Sequence, residues 1–495
     1  MELGAVLEGV PLRGGVSAAL RGRAVQGLEY DSRRVGAGSL FVAFAGAKSD
    51  GRMFAAQAME KGALAVMSEF AAPAGYAGPW IQVEHGRRAL ALACRNFYGP
   101  PERDLSLNGF TGTNGKTTSS LLLDSLFRKA GKTTGVFGTI GNTIAGEWEP
   151  AINTTPESLD LYRMFEKLRA RGGTHVSMEV SSHALFLGRT HGLAFHTAVM
   201  TNLSQDHLDL HGTIEDYFAA KQQLFVSNGA SAPRFAAINA DDEWARRIRT
   251  ESATQVLTYG LSEDASVRAE EITSGFEGLS FTLRHGGVSL PLRSALVGTI
   301  NVYNILAACT AGIAHGLDVE MIAAGITECN AVPGRFERVD EGQPFLVIVD
   351  YAHTPDALRN AIAVARDLKP RRVITLFGCG GDRDRSKRPL MGMAAGELSD
   401  FVVLTSDNPR SEDPLNVIND ALVGLRRFDT PHYVELDRAK AIRMAVDEAK
   451  EGDLILVAGK GHETYQVQKD QTIDFDDREE TRRILREFGY RRNAG

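Results

Sequence analysis

Residues 109–127, "GFTGTNGKTTSSLLLDSLF", constrain the fold more tightly than any other stretch of the chain. The strand-like run "LSLNGF" leads into a glycine turn, after which Leu122, Leu126 and Phe127 recur at helical spacing. Strand, glycine turn and helix in that order make a cradle for phosphate. Gly112 and Gly115 let successive N–H groups converge on anionic oxygens, and a helix beginning near Lys116 adds the positive end of its dipole. Lys116 would neutralise the β and γ phosphates, and the Thr117 hydroxyl would ligate Mg²⁺. The usual spacing G-x-x-x-x-G-K-[ST] is incomplete, because Phe110 stands where its first glycine belongs. A plain glycine turn is the competing reading of so short a motif; the strand before it and the helix after it argue against that.

The same alternation continues along the chain. Strand-like "SLFVAFAG" and "ALAVMSEF" alternate with helical "MFAAQAMEKG" up to "GPPE" near residue 100. "THVSMEV", "FHTAVMTN" and "RFAAIN" follow the loop. Beyond "NAVPGRFERV" come "FLVIVDYA", "RRVITLFGCGG", "DFVVLTSDNPR" and "DLILVAGKG", each ending at a polar or glycine-rich turn. Continuous apolar strands alternating with helices imply parallel sheets covered on both faces, with ligands at the carboxyl edge. A chain of 495 residues accommodates two to four domains. The expected fold class is α/β in three domains: 1–100, 101–333 with a P-loop-type ATP-binding parallel sheet, and 334–495, Rossmann-like. Hinge closure at "GPPE" and "VPGR" would keep water from a reactive intermediate.

Composition narrows the function classes. Charged residues make up 24%, and 55 Lys+Arg against 62 Asp+Glu give a net charge of −7, so no global basic footprint for nucleic acid exists. Cys94, Cys309, Cys329 and Cys379 are scattered without paired spacing, which fits a reduced chain better than a disulfide scaffold or zinc site. The first residues lack a signal-peptide pattern, and no apolar run approaches about 18 residues. The expectation is a cytoplasmic protein without membrane insertion, and a monomer.

Acidic and imidazole groups follow the loop. "VSMEVSSHAL" delivers Glu179 to a turn, and "TNLSQDHLDLHG" offers Asp206, His207, Asp209 and His211. Mg²⁺ takes oxygen ligands, so a carboxylate at a neighbouring strand end is the expected partner of the loop threonine. Solvated charges and a surface helix start are the bland alternatives.

Ten segments in order, among them "TGTNGKTT", "MEVSSHAL", "TNLSQDHLDLHG", "AAKQQLF", "NVYNILAA", "PGRFERV", "DYAHTPDAL", "GCGGDRDRSKRP", "SDNPR" and "GKGHETYQ", resemble the Mur ligases, ATP-dependent amino-acid-adding enzymes of peptidoglycan synthesis. The resemblance covers nearly the whole chain, and the shortened loop is the family's usual variant. It implies an acid–amino-acid ligase that adds meso-2,6-diaminopimelate to the D-glutamate carboxylate of UDP-N-acetylmuramoyl-L-alanyl-D-glutamate through an acyl phosphate.

By the same resemblance Lys116, Glu179, His207 and Lys221 are catalytic. Thr117, Glu179, His207 and a CO2-derived carbamate on Lys221 would hold Mg²⁺. ATP would meet Gly112, Thr113, Asn114, Gly115, Lys116, Thr117 and Thr118, with Asn301 and Asn304 near the base and Arg335 and Asp350 at phosphate and ribose. His353 would sit near the phosphates. The nucleotide-sugar peptide would meet Ser32, the turn at 47–51, Asn153, Thr154, Thr155, Ser181 and Arg189; Leu187 stands where some relatives carry glutamine. Read alone, "AAKQQLF" is a helix with a surface lysine, "NTTPE" a helix cap and "NVYNILAA" a capped helix.

The incoming amine falls to the third domain. Arg383, Asp407, Asn408, Pro409, Arg410, Gly459 and Glu463 match diaminopimelate contacts of the resembled family. Diaminopimelate carries a carboxylate at its far end where lysine has only an amine, and the Arg410 guanidinium would take it bidentately. An Asx-Pro turn with a solvated arginine is the bland reading. Competing functions are a lysine-adding or other Mur-type or folylpolyglutamate-type amide ligase, and, in a different class, a P-loop ATPase or nucleotide switch.

Overall fold

A computed structural model describes residues 1–46, 50–469 and 471–491, arranged as two compact units: Met1–Arg268 with Asn304–Gly325, and Ala269–Tyr303 with Ile326–Gly495. In the first unit, four parallel strands run in the order Gly27–Glu29, Ser39–Val42, Ala65–Ser68 and Trp80–Gln82. The helix Gly86–Tyr98 turns Ala89, Leu90, Ala93 and Cys94 inward, at the spacing of one helical face. They join Leu3, Val6, Leu28 and Leu40 in one apolar cluster.

A larger sheet of the same unit places Gln255–Gly260, Phe235–Asn239, Thr197–Met200, Ser106–Thr111, His175–Glu179 and Thr134–Gly138 side by side, all parallel. Two short antiparallel strands, Gly141–Ile144 and Glu147–Glu149, extend it. Spatial order departs from chain order around Ser106–Thr111, and such a switch opens a crevice at the carboxyl ends of the strands. Phe110 resolves the incomplete loop motif. It is a strand residue in register with Glu179 and Val199, fully buried, and its side chain contributes about 1.5–3 kcal/mol by leaving water.

In the second unit the strand order is Glu337–Val339, Leu346–Asp350, Leu454–Ala458, Val373–Cys379, Phe401–Ser406 and His432–Glu435, parallel except for the first pair. Successive residues of each strand enter opposite cores. Leu346 and Ile348 pack with Leu358 and Ile362, whereas Val347 and Val349 pack with Ile442 and Ile484. Both faces are therefore covered, as the continuous apolar runs require.

Sequence reading named no strand between "RFAAIN" and residue 333, yet Gly278–His285 and Val288–Ser294 form an antiparallel hairpin there. Its signals are the alternating burial of Leu279, Phe281 and Leu283 and the turn Gly286 and Gly287, both at positive φ (53° and 84°), as a two-residue hairpin turn requires. All four cysteines are free, and among the described residues no helix is long and apolar enough to cross a membrane.

Candidate active site

The loop between Thr111 and Lys116 is held by glycine geometry at two points. A Cβ on Gly112 (φ 146°) would lie 1.8 Å from the Thr201 hydroxyl, and one on Gly115 (φ 88°) would lie 2.3 Å from Asn304 Oδ1. The remaining loop residues are tied to the neighbouring strand end. Asn202 accepts from the Thr113 amide through its carbonyl and from the Asn114 amide through its side chain, both at 2.9 Å. The Thr113 hydroxyl donates to Ser204 O at 3.1 Å. The helix Lys116–Lys129 starts directly after Gly115, so its first N–H groups point into the loop. Thr118 is buried in its first turn, and the Lys116 ammonium donates to the carbonyls of Gly112 and Thr113, each at 2.9 Å.

Glu179 ends the strand beside the loop and is 1% exposed. Its Oε1 accepts from the Thr117 hydroxyl at 2.9 Å and from the Thr139 amide at 2.7 Å; its Oε2 accepts from the Thr139 hydroxyl at 3.1 Å. Its backbone carbonyl accepts from Thr155 Oγ1 at 2.9 Å, and Thr155 in turn accepts from the Ser181 amide at 3.0 Å. Thr154 lies 3.0 Å from Thr139, hydroxyl to hydroxyl. "NTTPE" does lead into a helix, Ser158–Ala170, whose N-cap is its last residue Glu157, but no side chain caps that helix, and the threonines serve Glu179 and Ser181 instead. Asn153 is half-buried in the bend before them.

Arg189 donates to Thr155 O at 2.9 Å and to Glu157 at 3.0 Å, and Arg87 reaches the same Glu157 carboxylate at 3.1 Å. Sequence reasoning missed Thr139 and Glu157, although Glu157 stands in the quoted "NTTPE". Ser32 is buried elsewhere in this unit, donating to Gln57 at 3.1 Å. Of the expected turn at 47–51, Ala47, Lys48 and Ser49 lie outside the described residues.

Lys221 is not a surface lysine. The helix Ile214–Gln222 turns it inward to 1% exposure, with Nζ 2.8 Å from Gly112 O and over the Tyr217 ring at 4.4 Å. Burial, reinforced by the Lys116 ammonium and opposed by Asp206, holds this amine well below the ordinary lysine range. His207, at positive φ (53°), packs edge-on against His183 with ring centres 4.7 Å apart. Burial lowers its imidazole to about 4 against the opposing pull of Asp206. Loop, Thr117, Glu179, His207 and Lys221 all lie at or just beyond the carboxyl edge of one sheet. Thr117 and Glu179 place a hydroxyl and a carboxylate, the oxygen donors a hard dication takes, within hydrogen-bonding distance, while His207 packs on His183, and among the described residues no three His, Cys, Asp or Glu side chains are grouped as a metal site.

Asn304 faces Gly115 in this unit, whereas Asn301, in the second unit, donates to Val297 O at 2.8 Å, four residues back along the chain. In the second unit the Arg335 guanidinium lies over the Tyr351 ring at 4.9 Å, and Asp350 accepts from the Phe336 amide at 2.8 Å. Burial raises the Asp350 carboxyl, and Arg335 opposes the rise. His353 Nδ1 lies 2.8 Å from Tyr351 O, just before the helix Pro355–Asp367 that Thr354 caps.

The residues assigned to the amine gather at the carboxyl edge of the second sheet. Asp407 and Gly459 follow the ends of two strands that flank Val373–Cys379, and a Cβ on Gly459 would lie 3.1 Å from Asp407 Oδ2. Asn408 donates to Glu463 at 2.8 Å, and the fully buried Lys460 donates to the same carboxylate at 3.1 Å. Arg410, at positive φ (52°), donates to Gly381 O at 2.8 Å. A Cβ on Gly380 would lie 3.0 Å from Arg410 and 3.5 Å from Arg383, so both guanidinium chains flank one glycine. Pro409 O would be 1.9 Å from a Cβ on Gly381, which ties the "DNPR" turn to the glycine loop.

Arg388, which sequence reading passed over, sits beneath that loop. It donates to Gly380 O at 3.2 Å and pairs with Glu412 at 2.7 Å and Asp420 at 2.9 Å. The Arg388 hydrogen bond holds the Glu412 carboxyl down at about 2.

Three family models match in chain order: Mur ligase family, catalytic domain, over residues 24–98; Mur ligase middle domain over 110–312; and Mur ligase, glutamate ligase domain over 334–461. A UDP-N-acetylmuramoyl-L-alanyl-D-glutamate--2,6-diaminopimelate ligase of Solibacter usitatus is 61% identical over 490 residues, 99% of both chains. A ligase of the same name from Geobacillus thermodenitrificans is 47% identical over 464 residues, covering 93% of this chain and 94% of that one. A solved structure so named superposes with a TM-score of 0.71 at 33% identity over 99% of each chain. Family models in order, relatives matched along the full length and a nucleotide loop wired to a buried acid agree: the chain belongs to the Mur ligase family.

Proposed function

We propose that the protein joins meso-2,6-diaminopimelate to the D-glutamate side-chain carboxylate of UDP-N-acetylmuramoyl-L-alanyl-D-glutamate in peptidoglycan synthesis, driven by ATP. The observation that carries this reading is the double use of Glu179. Its carboxylate meets Thr117 of the phosphate loop while its carbonyl meets Thr155, beside Ser181 and Arg189. A triphosphate on the loop and an acid on the threonine side are then neighbours, as phosphoryl transfer to a carboxylate requires.

The γ-phosphoryl group passes to the substrate carboxylate, ADP leaves, and the amine attacks the acyl carbon with loss of phosphate. Lys116 offsets the repulsion between the two anions, and the N–H groups at the start of its helix hold the triphosphate. Thr117, Glu179 and His207 would hold Mg²⁺, which supplies charge neutralisation at the phosphates when bound. A neutral buried amine is the form that adds CO2: nitrogen bonds the carbon, one proton leaves, and Lys221 becomes an anionic oxygen donor. Asn304 and Asn301 serve the base, Arg335 and Asp350 the phosphate and ribose. Ser32 and Asn153 serve the nucleotide sugar, and Arg410 with Arg383 the distal carboxylate of the amine. Asn408 and Glu463 serve its ammonium.

The same reading makes the chain a cytoplasmic monomer with domains 1–100, 101–333 and 334–495. The test is phosphate release from ATP with the nucleotide-sugar dipeptide present, comparing meso-diaminopimelate, L-lysine and no amine. Release with diaminopimelate alone is expected. Release with lysine overturns the amine assignment, and release with neither dipeptide nor amine returns the chain to an ATPase.

A further inference from the structure

Arg438 and Asp477 form an ion pair in which both side chains are 0% exposed. The guanidinium meets the carboxylate through two bonds, Nε to Oδ1 and NH2 to Oδ2, each 2.7 Å. A buried pair of this kind is weak evidence for stability, because desolvation of both ions offsets their attraction. Its other contacts give it a different significance. The same guanidinium donates to Ser406 O at 3.3 Å and to Ala458 O at 3.0 Å. These are the last residues of the strands Phe401–Ser406 and Leu454–Ala458, and the next residue on each is Asp407 and Gly459. Val373–Cys379 lies between those strands, so Arg438 spans two ends that do not pair with each other. Asp407 is itself buried; burial raises its carboxyl, and Arg438 is the largest influence opposing that rise.

We infer that Arg438, oriented by Asp477, is a positioning residue for the acceptor amino acid: it sets the spacing of the Ser406 and Ala458 strand ends, and with it the placement of Asp407 and Gly459. The inference rests on the proposed assignment of these residues to the amine. A guanidinium can hold a carboxylate with one edge and two carbonyls with its remaining N–H groups, whereas an ammonium has three donors on a single atom. Arg438→Lys therefore keeps the charge and loses the span.

The experiment compares KM for meso-diaminopimelate, ATP and the nucleotide-sugar dipeptide in parent, Arg438→Lys and the paired Arg438→Met/Asp477→Leu. The paired variant removes both ions at similar volume, which typically preserves folding; circular dichroism and thermal melting check that it does. KM for diaminopimelate should rise by about tenfold or more, the worth of one charge-assisted hydrogen bond, in whichever variant folds. KM for ATP and for the dipeptide should stay within about twofold, since Arg438 contacts nothing assigned to either. Unchanged constants, or a fall in kcat with all three KM values at parent level, overturn the positioning role. A parent that ignores diaminopimelate overturns the assignment beneath it, and that outcome is read before any variant is made.

Discussion

Gly112→Ala is the sharpest perturbation of the phosphate loop. The new methyl would start 1.8 Å from the Thr201 hydroxyl and 3.0 Å from Asn202 O, at a φ of 146° that side chains rarely adopt. Thr201 cannot simply rotate away. Its hydroxyl donates to Asn114 O of the loop at 2.7 Å and also lies 3.2 Å from Thr111 O at the strand end. Losing that bond costs about 1 kcal/mol and the forced backbone about 1–3 kcal/mol, roughly 2–4 kcal/mol together. At about 2 °C per kcal/mol for a large unit, the melting transition should fall by about 4–8 °C. Gly131→Ala is the control: its φ is also positive (72°), but nothing lies within 4 Å of its Cβ, so only the left-handed cost of about 1–2 kcal/mol remains. Differential scanning calorimetry gives the melting comparison, and titration with a fluorescent ATP analogue should show affinity at least about tenfold weaker for Gly112→Ala alone. If both variants melt together, or if Gly112→Ala binds nucleotide like the parent, the close approach of Thr201 does not hold the loop.

Lys221→Ala should abolish amide formation while the protein stays folded, and added acetate or formate should partly restore the rate; an active variant, or one that no small carboxylate rescues, removes the carbamate from the scheme. Arg410→Lys should raise KM for diaminopimelate strongly and leave ATP binding intact, because a point charge cannot reproduce the planar fork; equal kinetics for variant and parent refute this. Far from the nucleotide loop, His196 stacks on His315 at 3.9 Å, with His175 5.3 Å away. Burial lowers His175 and His196 from 6.5 to about 4 and His315 to about 2. With folded values depressed, their stabilisation is complete above pH 6.5 and is lost as pH falls toward 4 and below. Thermal melts from pH 7 to 4 should show a shallower decline for His196→Phe than for the parent, and parallel curves count against the cluster.

Much of the architecture was legible because buried parallel strands must be apolar throughout and must stop at turns. "THVSMEV", "FHTAVMTN", "RFAAIN" and the four runs after residue 333 all became strands near their expected limits. Local letters also disclosed the loop, since glycine is the residue that tolerates the φ values at 112 and 115. The hairpin Gly278–His285 with Val288–Ser294 was missed although its two-residue period is present, because partly polar strands lack the continuous apolar run that marked the others.

The amino-acid sequence by itself determined the α/β class, the phosphate loop, and the order of motifs that places the chain among the Mur ligases. Tertiary structure alone decided the contacts that join those motifs. Lys221 is 109 residues from the carbonyl it meets, Thr117 is 62 from Glu179, and Arg438 is 32 from Ser406 and 39 from Asp477. Such separations leave no periodic trace, and burial, which turns a surface lysine into a depressed amine and a plain arginine into a brace between strand ends, belongs to the packed chain. Periodicity records which face of a segment is apolar; the partner that covers that face is chosen only when distant segments close on one another.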